Sequence, residues 1–215
     1  MDINAIKLGA VLKTDWDDRQ FRVLAFDDVE VLYDCWWPHR KVWGLSKLSG
    51  NATYYRIPTA LLCAHATRLR IDPMTQEEIA FHRPDLPLRL CRFPNLHWTK
   101  VRYPSIDSYA SAIKKSSPRN RVDGKRVALA IPEVILKPFG PKGSAKRGTV
   151  IEARNDKGFC ALELLWRAHN LQAPYVKDWE KGVGIYRSGF ERGIPSYYLW
   201  GVSDQAGNAD SANDS

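Results

Sequence analysis

The first third of the chain breaks its apolar residues into short runs closed by acidic turns, which limits it to short strands. LGAVLK, QFRVLAF and VEVLYDCWW are rich in Val, Leu, Phe and Tyr and are separated by TDWDDR and DD. This spacing predicts a β meander or small barrel. WWPHRKVWG then interrupts the pattern with Pro38 and Gly44. Neighbouring residues of a strand point to opposite faces, so one of Trp36 and Trp37 is expected in the core and the other outside it. Trp36, Trp37 and Trp43 are candidates for a partner-binding groove, with core packing as the competing role.

Helices enter further on. IPTALLCAHATRLR places Leu61, Leu62, Ala66 and Leu69 near helical spacing behind Pro58, with a strand as the alternative for so short a run. Thr75 followed by Glu78 is a capping-box signature for a brief helix stopped before Pro84. RLCRF reads as a strand. Ile106, Tyr109, Ala110 and Ile113 are spaced for an amphipathic helix capped by Ser105 and ended by Lys114 and Lys115. The polar and basic KKSSPRNRVDGKR follows. The expected fold class is α+β. A β-rich mixed domain spans 1–115 and a basic linker spans 116–126. A second domain spans 127–203, and a disordered tail spans 204–215, where no large apolar residue occurs.

In the second domain, SAKRGTVIEARND predicts a first helix and KGFCALELLWRAHNL a second, with Phe159, Leu162, Leu165, Trp166 and His169 along one side. APYVKDWEKG predicts a short third helix begun at Pro174. GIYRSGFERGIPSYYLWG follows as two aromatic and β-branched strands around a glycine-bounded tip. Helix, helix, short helix and hairpin resemble a winged helix-turn-helix over about residues 144–203. That resemblance implies a third helix in the major groove, offering Tyr175, Lys177 and Lys181, and a wing touching the backbone through Arg187, Phe190 and Arg192. Lys142, Lys146, Arg147, Arg154 and Lys157 would flank them.

Charge supports phosphate as the partner. Residues 114–202 hold 17 Lys/Arg against 8 Asp/Glu, whereas residues 1–113 are near balance at 15 against 13. The expected function is nucleic-acid binding, DNA before RNA, with the first domain contacting a protein partner or a second copy. The alternative is a protein-interaction or inhibitor module that uses its aromatic surfaces and binds no nucleic acid.

No catalytic set stands out. The five histidines are dispersed, and no Walker A, G-x-S-x-G or dinucleotide fingerprint occurs. Asp27, Asp28, Glu30 and Asp34 gather near one strand, which leaves a metal-dependent nuclease as a minor alternative. No cofactor or metal is expected. The four cysteines lie far apart, and the N-terminus has an acidic start with only a short apolar run, so a cytoplasmic protein without a membrane span is expected.

Overall fold

A computed structural model describes residues 2–48, 51–116, 122, 124, 126–140, 144–176 and 182–201. Two compact units divide the chain: residues 1–88 with 187–196, and residues 89–186 with 197–215. The expected linker at 116–126 is not the division; the chain leaves the first unit after Leu88 and returns to it for ten residues at Arg187. Most of that linker, and the tail after residue 203, lie outside the described residues. The α+β class holds.

The first unit is built from β1 (Ala10–Thr14), β2 (Phe21–Phe26), β3 (Glu30–Trp37), β4 (Val42–Gly44), β5 (Ser46–Leu48), β6 (Asn51–Thr53), β7 (Tyr55–Pro58), α1 (Thr59–His65), β8 (Ala66–Ile71) and α2 (Gln76–His82). Its main antiparallel sheet runs β4-β3-β2-β1-β8, with β7 pairing the first half of β3 and β4 the second. Strand alternation buries both faces. Val23 and Val31 enter one cluster with Leu12 and Leu62, while Leu24 and Leu32 enter another with Tyr54 and Phe190. The meander expectation is met, but the helix at IPTALLCAHATRLR stops at His65. Ala66–Ile71 becomes a strand because β1 offers it a full ladder, from Thr14↔Ala66 to Ala10↔Ile71. The Thr75–Glu78 capping box forms in both directions, at 2.8 and 3.1 Å.

The second unit holds β9 (Arg89–His97), α3 (Ile106–Ser116), β10 (Val127–Leu129), β11 (Glu133–Lys137), β12 (Thr149–Glu152), β13 (Phe159–Cys160) and α4 (Ala161–Gln172). The hairpin strands β14 (Gly182–Glu191) and β15 (Ile194–Trp200) contribute residues to each unit. In the second unit β9 pairs the base of β14, from Gly182↔His97 to Tyr186↔Arg89. Leu164, Leu165 and Ala168 of α4 are fully buried, as are Val134, Leu136, Phe159, Val183, Ile185, Tyr197 and Leu199.

The segment expected to form the first helix of the winged order is a strand instead. Thr149–Glu152 pairs with Glu133–Leu136 in β11, a partner that β-branched Val150 and Ile151 favour over an isolated helical turn. The second helix forms as α4. Of the third, Ala173–Tyr175 is a single 3-10 turn and residues 177–181 lie outside the described set. Over the described residues the order is therefore two strands, helix, 3-10 turn and hairpin.

Gly158 permits the approach of β13 to β10. Its φ is +98°, and a Cβ there would sit 2.2 Å from the Leu129 carbonyl oxygen. Gly158→Ala is expected to cost about 3 kcal/mol, a fall in Tm of roughly 6–12 °C, measured by thermal melting.

Candidate nucleic-acid interface

Residues 99–104 lie in no regular element, so their backbone groups need partners from elsewhere. One face of α4 supplies them. Asn170 Oδ1 accepts from Tyr103 N at 2.9 Å and its Nδ2 donates to Tyr103 O at 2.8 Å. Trp166 Nε1 donates to the same carbonyl at 2.8 Å. His169 Nε2 lies 3.1 Å from Val101 O and 3.1 Å from Thr99 Oγ1. Burial lowers the His169 pKa, which leaves a neutral ring among Trp98, Tyr103 and Tyr109. Three hydrogen bonds between α4 and the backbone of Tyr103, from Trp166 and Asn170, fix this loop against the helix.

Trp166 then becomes the shared wall of two open clefts. One, of about 570 Å³, lies between Thr149–Glu152 and Trp166, Arg167, Asn170 and Leu171. The other, of about 550 Å³, lies between Arg102–Pro104 and the same helix face. Two guanidinium groups lie over the Trp166 ring, with the Cζ atoms of Arg154 and Arg167 each 5.0 Å from the centroid. Arg147 and Arg154 bracket the β12 wall in sequence and are exposed or half-exposed, and exposed Arg102 lines the other side. The result is an aromatic surface with cations on every bank.

Several expected residues fall elsewhere. Arg187 is 1% exposed and Phe190 9% exposed. Neither is at the hairpin tip, which is a two-residue turn at Arg192 (φ 54°) and Gly193 (φ 80°). Arg187 instead reaches the C-terminal end of α2, donating to Arg83 O at 2.7 Å, Leu86 O at 3.4 Å and His82 O. The last carbonyls of a helix have no intrahelical partner, and Arg187 satisfies them. It cannot serve as a phosphate contact from there. Arg192 remains exposed at the tip.

Lys146 and Tyr175 are brought together, Nζ being 6.0 Å from the ring centroid. Lys157 is exposed in the turn before Gly158, where Asn155 Oδ1 accepts its amide at 2.9 Å. Lys142, Lys177 and Lys181 lie outside the described residues. Trp36, Trp37 and Trp43 of the first unit are half-buried and engaged locally. Trp36 and Trp43 meet edge-on across the β3–β4 ladder at 5.3 Å, and Trp37 lies against Gly44 with the Arg40 guanidinium over it.

The carboxylates weighed for a nuclease have structural partners. Asp34 pairs with Arg22 and Glu30 with Arg56, while Asp27 accepts from the amides of Val29 and Glu30. Among the described residues no three His, Cys, Asp or Glu side chains form a metal-holding group. Compared with known proteins, the chain matches no family model, no curated protein and no solved structure. No helix among the described residues is long and apolar enough to cross a membrane.

Trp166, Arg167, Asn170 and the 102–104 loop were not singled out by sequence reasoning. Trp166 sits next to the buried Leu165 on a helix of strong apolar spacing, so its pattern reads as core. The available signal was the adjacent Trp166–Arg167 pair, which no apolar stripe requires.

Proposed function

We propose that this protein binds single-stranded nucleic acid through the Trp166 groove of its second unit. The observation that carries the reading is the half-buried Trp166 ring, held by its indole N–H and covered by two arginines beside a nucleotide-sized cleft. A guanidinium over an exposed ring contributes about 0.5–1 kcal/mol. A stacked base contributes about 1–3 kcal/mol, so the exchange of arginine for base is favourable. The displaced guanidinium is left beside the strand, where it can take a phosphate bidentately.

Charge distribution supports the same surface. The first unit holds 13 Lys/Arg and 13 Asp/Glu, whereas the second holds 19 against 11, so the whole excess of +8 belongs to the unit with the groove. An open cleft with an aromatic wall favours unpaired bases over a duplex, whose bases are already stacked.

Fluorescence anisotropy with labelled single-stranded DNA, single-stranded RNA and duplex DNA tests this in low and moderate salt. Single strands are expected to bind tighter than duplex, and affinity should fall steeply with salt. Trp166→Ala and the Arg154→Ala/Arg167→Ala pair should each weaken binding by about tenfold or more, with folding checked by thermal melting. Equal affinity of folded variants and wild type would remove the groove from the account. No binding of any strand at low salt would sink nucleic acid and favour a protein partner.

A further inference from the structure

Glu163 sits one helical turn before Trp166 and is 2% exposed, yet among the described residues its Oε1 accepts no hydrogen bond. Among the described residues it is paired with Arg154, whose Nε is 3.9 Å away. That same arginine lies over the Trp166 ring. A position in the first turn of α4 suits an acidic side chain, which accounts for the residue type but not for its unused oxygen. Residues at i and i+3 share a helix face, so the acceptor and the stacking ring lie side by side with Arg154 bridging them.

We propose that Glu163 reads the base stacked on Trp166 and selects guanine. This rests on the groove being a single-strand site. A base that takes the place of Arg154 on the ring also takes its place beside Glu163, and its Watson–Crick edge then faces a group that only accepts. Guanine presents two adjacent donors there, N1–H and N2–H, which match the two oxygens of a carboxylate. Adenine and cytosine each set a ring-nitrogen acceptor beside their amino donor, and that acceptor faces the carboxylate unfavourably. Thymine and uracil have one N–H between two carbonyls. Guanine is the base whose edge satisfies the orphaned acceptor without opposing lone pairs.

The test uses full-length protein and single-stranded dT12 carrying two isolated dG, dA or dC substitutions, read by anisotropy. The guanine oligonucleotide is expected to bind about tenfold tighter than the others. Replacing guanine by inosine, which lacks the N2 amino group, should forfeit about threefold or more of that preference in wild-type protein. In Glu163→Gln the preference for the guanine oligonucleotide over dT12, taken as a ratio within the variant, should fall to under about threefold. If Glu163→Gln does not fold, the inosine comparison decides alone.

Binding of all four oligonucleotides with equal affinity overturns the base assignment and leaves the groove standing. A folded Glu163→Gln that keeps its guanine preference overturns it too, assigning Glu163 to the helix dipole. Failure of every oligonucleotide to bind removes the groove itself, and this assignment with it.

Discussion

Arg187→Ala is expected to unfold the first unit or to lower its stability by about 3–5 kcal/mol, because it removes the buried guanidinium that caps the end of α2. The guanidinium donates to three carbonyls at the end of α2 and approaches Tyr54 Oη at 3.5 Å, with its Cζ 5.3 Å from the Tyr54 ring centroid. Removing it takes the charged donor from all three carbonyls, leaving Tyr54 Oη on His82 O at 3.2 Å and Leu86 N on Arg83 O at 3.0 Å, and opens a cavity the size of a long side chain. Arg187→Lys should recover little, since one ammonium cannot span donors set in a planar fork. Thermal and urea melts of both variants measure this. Arg192→Ala, at the exposed turn, should change stability by less than about 0.5 kcal/mol. A melt of Arg187→Ala within about 2 °C of wild type would refute the clamp. A binding defect in any variant lacking Arg187 would therefore report unfolding.

The other end of α2 is held by a second buried arginine, and breaking it should be comparably costly. Arg22 Nη2 donates to Asp34 Oδ2 at 2.9 Å and to Glu78 Oε1 at 2.8 Å, and its Cζ lies 5.0 Å from the Trp43 centroid. Glu78 is also the capping-box acid, so the network ties β2 and β3 to the helix start. Arg22→Met leaves Asp34 buried without its cation and is expected to cost about 3–5 kcal/mol. Arg22→Met/Asp34→Leu should regain most of that loss, because no buried charge is then left over. Urea unfolding of the single and double variants separates the two outcomes. A double variant no more stable than the single one would mean that Arg22 acts through Trp43 and Glu78.

Two groups in this unit titrate against each other. Burial pushes the Asp34 carboxyl up to about 6, with Arg22 pulling it down and the charge of Glu78 adding to the rise. Burial pushes His82 down to about 4, with Arg22 and Arg187 lowering it further. Between about pH 4 and 6 the native state holds the Asp34 proton more tightly than the unfolded chain, so this group makes stability fall as pH rises. Over about pH 4 to 6.5 the unfolded chain holds the His82 proton more tightly, so that group makes stability rise. The two slopes oppose, and Asp34→Asn should unmask the rise. Urea midpoints of wild type and Asp34→Asn at pH 4.5, 5.5 and 6.5 check this as a difference, in which the similarly lowered His169 cancels. Parallel pH curves would mean that Asp34 is ionised throughout the window.

Features whose partners lie within a few residues were legible without the fold. The Thr75–Glu78 box, the helix at Ile106–Ser116 and the hairpin strands from Gly182 to Trp200 all form where local chemistry places them. The basic excess was legible as well, because charge is a sum over residues. What a charge faces is another matter. Arg187 stands 104 residues from the carbonyl of Arg83, and no pattern near Arg187 announces an uncapped helix end. Val150 and Ile151 suit a helix or a strand, and β11 decided between them by offering a ladder. Trp166 reads as core by spacing, yet the loop at 102–104 and the strand at 149–152 stop short of covering it. The sequence by itself determined short-range conformation and overall charge. Tertiary structure decided which arginines face water and which aromatic ring stays open, because burial depends on partners that only long-range packing brings near.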